Sequence, residues 1–254
     1  MINKTIPLAN NFGMNAAIDI GNSRIKIGLF ENSHLFDSKL TNNPEEALEF
    51  LSKHSLKDII VSSVGHDPDW TGRIRKEGIN LNLNSATKTP LSLVYQTPET
   101  LGSDRIAAAV GAYIRNPGMS VLIIDLGTCA TYDFLDDKAI FYGGSISPGI
   151  RMRFRAMHEQ TARLPLIEEW TNNIKLTGQN TAESMVSGTI MGLKQEIEGF
   201  IRSYQHKVAN LQIIFTGGDF KVVENLLDQK YTWVNHLVLE GLNGILEYNT
   251  RIQK

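Results

Sequence analysis

The segment "AAIDIGNSRIKIGLF" at residues 16–30 predicts two apolar strands joined by a tight polar turn. The first strand ends at Asp19, the turn contains Gly21, and the second strand carries Lys26. The segment "VLIIDLGTCATYDF" at residues 121–134 repeats this pattern around Asp125. Two similar halves within one chain favour a duplicated α/β fold with a cleft between the halves.

The rest of the sequence predicts the elements of each half and a boundary between them. Asn116, Pro117 and Gly118 follow an alanine-rich helix that Ser103 is expected to cap. We therefore predict a polar extension at 1–14, a first domain at 15–118 and a second domain at 119–254. The first domain is predicted to contain strands at 15–20, 24–30, 34–40, 58–64 and 79–83, with helices near 44–54, 70–77 and 102–115. The second is predicted to contain strands at 121–126, 131–135, 139–143 and 213–215, with a long amphipathic helix at 181–207.

The composition is that of a globular protein and excludes several classes. Among 254 residues, 42% are hydrophobic and 20% are charged, and the net charge is −2. This balance leaves no broad basic surface for nucleic acid, and the basic run at 151–158 is interpreted as a substrate rim or a solvated helix face. No apolar run is long enough to span a bilayer, and the leader "MINKTIPLANNFG" lacks the apolar centre of a secretory signal. With a single cysteine, Cys129, and no His or Cys metal motif, we expect a cytoplasmic protein without nucleic-acid or membrane partners.

The two Asp–Gly turns are candidates for phosphate binding. Glycine lets the backbone turn sharply, so that N–H groups point into one anion-binding concavity. The carboxylate can hold a cation, directly or through water, that offsets the phosphate charge. Either turn alone is just as typical of an ordinary hairpin, but their repetition in register favours a polyphosphate held from both sides. The chain has no GxxxxGK[ST] sequence and no GxGxxG after a strand, which argues against the Walker and dinucleotide-binding types of site.

Several motifs together carry a resemblance to a known family. "DIGNS" followed by Lys26, "DLGT" at 125–128 and "FTGGD" at 215–219 resemble the phosphate and adenosine motifs of the actin-like, sugar-kinase and heat-shock ATPase superfamily. "LGSDR" at 101–105 and "GGSISPG" at 143–149 resemble the type III pantothenate kinases within it. The resemblance implies an α/β fold of two ribonuclease-H-like (actin-like ATPase) domains with an inter-domain ATP cleft. It implies ATP-dependent phosphorylation of pantothenate to 4′-phosphopantothenate, the first step of coenzyme A biosynthesis, by a homodimer that uses Mg²⁺ and a monovalent cation (K⁺ or NH₄⁺).

Asp104 is the residue that the resemblance assigns as the general base. It follows Gly102 at a predicted helix start, where the backbone can approach a ligand closely. The alternative is an acid that interacts only with the helix dipole. The neighbouring Arg105 can bind a substrate carboxylate or a phosphate oxygen through two N–H groups, or it can form a structural ion pair.

The resemblance also implies the remaining contacts. Tyr95 and Thr181 match substrate contacts, although on the residues alone either is more typical of packing or of a helix cap. Asp125 matches the ligand of the monovalent cation, Thr128 matches an ATP contact, and Asp19 is expected to order the water shell of magnesium. The implied substrate-binding set is Tyr95, Gly102, Ser103, Asp104, Arg105 and Thr181. The implied ATP-binding set is Asp19, Ile20, Gly21, Asn22, Ser23, Arg24, Ile25, Lys26, Thr128, Gly217 and Gly218.

The departures from the family pattern are small. Ser23 stands where the family usually has Thr, which keeps the hydroxyl, and Cys129 replaces an alanine near the expected phosphates. The glycines of 143–149 are interpreted as a turn-rich segment that lines the cleft, with an ordinary loop as the alternative.

Two other functions remain open at this point. One is a kinase of the same superfamily with another small acceptor, such as a sugar, a carboxylate or polyphosphate. The other is a non-catalytic nucleotide-binding regulator. The length of the chain disfavours a chaperone or a filament former, and the 13 leader residues are too few for the DNA-binding module of a repressor.

Overall fold

A computed structural model of the chain describes residues 13–21, 24–63, 69–171, 173–228 and 230–252. The first half forms a five-stranded sheet in the order β3-β2-β1-β4-β5. The strands β1, β2 and β3 are antiparallel neighbours, whereas β4 and β5 run parallel to β1. These strands are β1 (Met14–Ile20), β2 (Ile25–Glu31), β3 (His34–Thr41), β4 (Leu56–Ser63) and β5 (Asn80–Asn82).

The second half contains a six-stranded sheet in the order β11-β10-β7-β8-β9-β6. Without β6, this order and the strand directions repeat those of the first sheet, since β7, β8 and β9 are antiparallel neighbours and β10 and β11 run parallel to β7. Its strands are β6 (Ser92–Leu93), β7 (Val121–Leu126), β8 (Cys129–Leu135), β9 (Ile140–Pro148), β10 (Gln212–Thr216) and β11 (Thr232–Trp233). The duplication expected from the two hairpins is therefore present in the topology.

Helices cover both sheets and fill the space between them. The helices are α1 (Pro44–Ser52), α2 (Ser103–Arg115), α3 (Ile150–Glu159), α4 (Thr181–Gln205), α5 (Phe220–Val223) and α6 (Leu237–Ile252). Helices α2 and α6 share one core with Ala17 of β1 and Ile123 of β7, so they lie between the sheets. Helix α1 packs on the other face of the first sheet, and α3 and α4 pack on the other face of the second.

The contact between α2 and α6 depends on glycine. A Cβ at Gly241 would overlap the backbone carbonyl of Ala107, and a Cβ at Gly111 would overlap the carbonyl of Leu237. Because the two backbones touch, no larger residue fits at either position without separating the helices. This close packing fixes α2, whose first turn carries "SDR" at 103–105.

Some predicted elements were wrong. The helix predicted at 70–77 is only a 3₁₀ turn, Asp69–Arg73, because glycines at 72 and 78 interrupt the helical pattern. Gly102, not Ser103, is the N-cap of α2, and the Ser103 hydroxyl bonds a neighbouring strand instead. The strand predicted at 139–143 continues to Pro148, so most of "GGSISPG" is a strand beside β8 and not a loop.

The domain limits of 15–118 and 119–254 stay a prediction. Helix α2 does end at Arg115, just before the predicted boundary. However, β6 precedes that boundary and pairs with β9 of the second sheet, while α6 contacts β1 and β4 of the first. The first half thus contributes a strand to the second sheet, and the second half contributes a helix that packs on the first sheet. Within the described part of the chain, no helix combines the length and the apolar character needed to cross a membrane.

Candidate functional site

Asp19 ends β1, where it is 5% exposed and faces Lys26 across the β1–β2 pair. The Lys26 ammonium lies 3.6 Å from Asp19 Oδ2. Burial raises the pKa of the Asp19 carboxyl, the charge of Lys26 opposes this rise, and the charge of Asp104 adds to it. A hydrogen bond with Ser62 of β4 also helps to hold the charged form.

Asp125 occupies the equivalent position at the end of β7, between Thr131 of β8 and Thr216 of β10. Burial raises the pKa of its carboxyl to about 6; the charge of Lys26 opposes this rise, and the charges of Asp104 and Asp19 reinforce it. The carboxylates of Asp19 and Asp125, one from each half, therefore both interact with Lys26 and with Asp104 of α2. We call Asp19, Asp104 and Asp125 the acidic group.

Asp104 lies in the first turn of α2, and its position depends on its neighbours. Its Oδ1 accepts a hydrogen bond of 2.8 Å from the Arg105 N–H. The same oxygen lies where a Cβ at Gly102 would be, so any larger residue at 102 would push the carboxylate aside. The Ser103 hydroxyl is 2.8 Å from that of Ser62. Because Ser62 also bonds Asp19, a hydrogen-bonded chain connects the end of β1 to the start of α2.

Arg105 forms the buried ion pair that the sequence left open as an alternative, and its partner is Asp133 of β8. Burial alone would lower the pKa of the guanidinium, but hydrogen bonds and charge from Asp133 raise it. The Tyr95 ring stacks over the same guanidinium, with its centroid 5.9 Å from the Arg105 Cζ. Gly143, at φ +76°, has no room for a Cβ because the Tyr95 ring occupies that space. The structure thus brings Tyr95, Arg105 and Asp104 together.

The "FTGGD" and "GGSISPG" segments both pack against the turn that follows Asp125. Gly217, at φ +91°, lies against the Leu126 carbonyl and Asp125 Oδ1, so a side chain cannot replace its hydrogen. The Asp219 N–H donates to the Leu126 carbonyl at 2.9 Å. On the other side, the Gly149 N–H donates to the carbonyl of Thr128 at 3.1 Å.

Two basic side chains reach the "FTGGD" turn. Burial raises the pKa of Asp219, and the charges of Arg151 and Arg24 oppose that rise. Arg24 precedes β2 in the first half, whereas Arg151 belongs to α3 and the basic run at 151–158. Positive charge from both halves therefore lies beside the third motif.

The remaining predicted contacts are less well connected. The turn between β1 and β2 begins at Ile20 and Gly21. The Gly21 N–H donates to the Arg24 carbonyl at 3.0 Å. The Ile25 side chain is buried in the core between the first sheet and α1, so only its backbone can face a ligand. Thr181 is exposed at the start of α4, where Asn180 and not Thr181 is the cap. Asn22 and Ser23 lie outside the described residues, whereas Gly218 is exposed beside Gly217.

Metal binding by the protein alone finds little support in the side chains. Among the described residues, no three His, Cys, Asp or Glu side chains are grouped to hold a metal ion. Asp19 and Asp125 are single carboxylates from opposite halves. This donor set fits ions that take most of their ligands from phosphate and water.

Sequence reasoning missed Ser62 and Asp133. Ser62 pairs with Asp19 near the end of β4, as Thr216 pairs with Asp125 at the end of β10. Aligning the two halves would have exposed this repeated hydroxyl. Asp133 is a charged residue within an otherwise apolar predicted strand, and such a residue is rarely buried without a partner.

Two comparisons with known proteins identify the same family. A family model described as type III pantothenate kinase matches residues 16–203. A type III pantothenate kinase of Cytophaga hutchinsonii is 41% identical over 236 residues, which are 93% of this chain and 100% of the relative. One of Christiangramia forsetii is 40% identical over 93% of this chain and 99% of the relative.

The similar solved structures concern the fold alone. A conserved protein of Campylobacter jejuni described as a Baf family transcriptional activator superposes with a TM-score of 0.63 at 24% identity, over 93% of this chain and 99% of the other. The activator of 2-hydroxyisocaproyl-CoA dehydratase from Clostridium difficile, with bound ADPNP, gives a TM-score of 0.56 at 12% identity, over 94% and 96%. Together with the repeated topology, these neighbours confirm the α/β fold of two ribonuclease-H-like domains.

Proposed function

The chain belongs to the type III pantothenate kinase family, and from that premise we propose how its residues carry out the reaction. The family's activity is the ATP-dependent phosphorylation of pantothenate in coenzyme A biosynthesis. The observation that carries the proposal is the acidic group, because one carboxylate from each repeated bend interacts with Lys26 and with Asp104.

ATP binds between the two Asp–Gly bends. The backbone at 19–26 contacts the phosphates from the first half, and Thr128, Gly217 and Gly218 contact the nucleotide from the second. Lys26 and Arg24 offset the phosphate charge, and the absence of a side chain at Gly217 lets the backbone approach closely. Positive side chains are needed here because the acidic group by itself would repel a triphosphate.

The bends supply oxygen ligands for cations. Asp19 would order the water shell of Mg²⁺, and Asp125 would bind K⁺ or NH₄⁺. When bound, such cations would supply positive charge that offsets the charge developing on the phosphate during phosphoryl transfer. The raised pKa of Asp125 supports the assignment, since a cation offsets the cost of burying that charge.

The hydroxyl oxygen of pantothenate attacks the γ-phosphorus of ATP, and ADP leaves. Asp104 accepts the proton that this hydroxyl loses. Because phosphoryl transfer through a loose transition state asks little of a base, Asp104 also acts by orienting the hydroxyl. Arg105 and Tyr95 bind the carboxylate end of pantothenate. Gly102 and Ser103 shape the same pocket, and Thr181 completes it.

The protein works in the cytoplasm as a homodimer without nucleic-acid or membrane partners. The single cysteine fits a reducing compartment. Exposed apolar side chains at Val94, Tyr142 and Ile146 lie on or beside the β9–β6 edge of the second sheet and support a protein–protein contact there. The mass of the particle in solution tests this part of the proposal.

The decisive assay measures ADP release by the purified protein with K⁺ and Mg²⁺, comparing pantothenate with sugars and acetate. We expect turnover with pantothenate. Turnover only with a sugar or acetate would show that the acceptor is not pantothenate. Nucleotide binding without any turnover would favour a non-catalytic regulator.

The role of Asp104 is tested with Asp104→Asn. We expect kcat to fall by about 10²–10⁴-fold while ATP still binds, because asparagine neither accepts the proton nor orients the hydroxyl as the carboxylate does. Glu45→Gln is the matched control, since Glu45 is an exposed acid in the first turn of α1, where it interacts with the helix dipole and with Arg73. Equal, small losses in both variants would remove Asp104 from the mechanism.

A further inference from the structure

The Arg105 guanidinium is held on one edge by Asp133. Its Nε lies 3.1 and 3.0 Å from the two carboxylate oxygens, and its Nη2 also donates to Asp133 Oδ1. Asp133 is 1% exposed and Arg105 is 7% exposed. This is a side-on, bidentate pair removed from water, which is the geometry that fixes an arginine most firmly.

The pair uses one edge of the guanidinium, and the Tyr95 side chain makes a further hydrogen bond with Arg105. Arginine has five N–H donors, and Asp133 accepts from the one on Nε and from Nη2. The donors on Nη1 and the second on Nη2 form the other edge, which suits a planar carboxylate. Tyr95 limits movement out of the plane because its ring lies over the guanidinium.

Asp133 is itself held in place by the second sheet. The register between β8 and β9 shifts directly after it, between Asp133 and Leu135. Such an irregularity in a strand pair redirects side chains. Gly144, paired with Asp133, has no room for a Cβ against the Tyr132 carbonyl, so the strands approach closely there. A hydrogen bond with Thr131 further supports the carboxylate.

We propose that Asp133 is a positioning residue, which fixes Arg105 so that the guanidinium edge not used by Asp133 binds the carboxylate of pantothenate. The inference rests on the proposed function, in which Arg105 contacts that carboxylate. Because Asp133 already balances the charge of Arg105, the site selects the acceptor mainly by the geometry of two parallel hydrogen bonds. Asp104 directly precedes Arg105 in the first turn of α2, so a fixed Arg105 sets the distance between the two ends of the acceptor.

The test is Asp133→Asn, assayed for both substrates and for the neutral amide of pantothenate. We expect KM for pantothenate to rise about tenfold or more, KM for ATP to stay within about twofold, and the preference for the acid over the amide to shrink. Glu240→Gln is the matched control, since it breaks the bidentate Arg115–Glu240 pair at the other end of α2. That variant should keep both KM values.

A second pair of variants is needed if Asp133→Asn does not fold because it leaves a buried arginine unpaired. Arg105→Met and the double variant Arg105→Met/Asp133→Asn remove that charge. We expect equal KM values for pantothenate in these two proteins, because Asp133 acts only through Arg105. A further rise in the double variant would overturn the inference.

The two proposals fail in different ways. If the unmodified protein does not phosphorylate pantothenate, the proposed function is wrong, and the inference is wrong with it. If it does, and Asp133→Asn keeps the KM and the acid preference of the unmodified protein, only the positioning role is wrong.

Discussion

Replacing Asp125 with asparagine removes a buried negative charge that lowers the stability of the folded protein. The pKa of this carboxyl rises from its ordinary 3.8 to about 6, first because of burial and then because of the charges of Asp104 and Asp19. At about 1.4 kcal/mol per pKa unit this corresponds to about 3 kcal/mol. Since Asp125 keeps some contact with solvent, we expect about 1–3 kcal/mol.

The sign of the effect follows from proton binding. Between pH 3.8 and about 6 the folded protein binds the proton of Asp125 more tightly than the unfolded chain does, so the contribution of this group to stability falls as pH rises. Above pH 6 the full cost is present. Without nucleotide or cations, Asp125→Asn should therefore be more stable than the unmodified protein at pH 8, while the two should converge near pH 4.

The assay is thermal and urea unfolding of both proteins at several pH values, with and without K⁺. A gain of 1–3 kcal/mol in a domain of this size corresponds to roughly 3–10 °C. Potassium should raise the melting temperature of the unmodified protein at pH 8, less so at pH 5, and not that of Asp125→Asn. Asp137→Asn, at an exposed acid of the second half, is the control. A variant less stable than the unmodified protein at pH 8 would refute the reasoning.

Two further changes test the local geometry. Gly217→Ala places a Cβ against Asp125 at φ +91°. We therefore expect KM for ATP to rise about tenfold and the free energy of unfolding to fall by about 1–3 kcal/mol. The control Gly192→Ala, on open helix surface, should stabilise the protein slightly. Unchanged nucleotide binding by Gly217→Ala would contradict this. Ser62→Ala breaks the hydrogen-bonded chain to Ser103, and we expect a loss of about 1–3 kcal/mol and slower turnover with ATP binding retained. Ser203→Ala, which loses an exposed bond within α4, is the comparison, and equal turnover in both would remove Ser62 from the site.

The sequence predicted those features that repeat or lie close together along the chain. Asp19 and Asp125 each end an apolar strand before a Gly turn, and this local pattern identified the equivalent ends of β1 and β7. The "FTGGD" turn was likewise legible, because only glycine adopts the conformation at 217 easily.

Features that depend on distant partners were not predictable in the same way. Asp133 meets Arg105 only because β8 and α2 are brought together, and Ser62 meets Ser103 for a similar reason. The "GGSISPG" segment resembled a loop because its composition is typical of turns. In the structure the glycines instead allow β9 to lie tightly against β8 and Tyr95.

Helix α6 follows every strand of both sheets along the chain, yet it completes the interior of the first half. It contacts β1 and β4, and the side chain of Asn243 accepts a hydrogen bond of 3.1 Å from Asn15 of β1. A nascent polypeptide therefore keeps the apolar surface around Ala17 and Ile60 uncovered until α6 has been synthesised. Products that end before α6 leave this apolar surface exposed, so we expect cellular proteases to remove them before they can bind ATP or pantothenate.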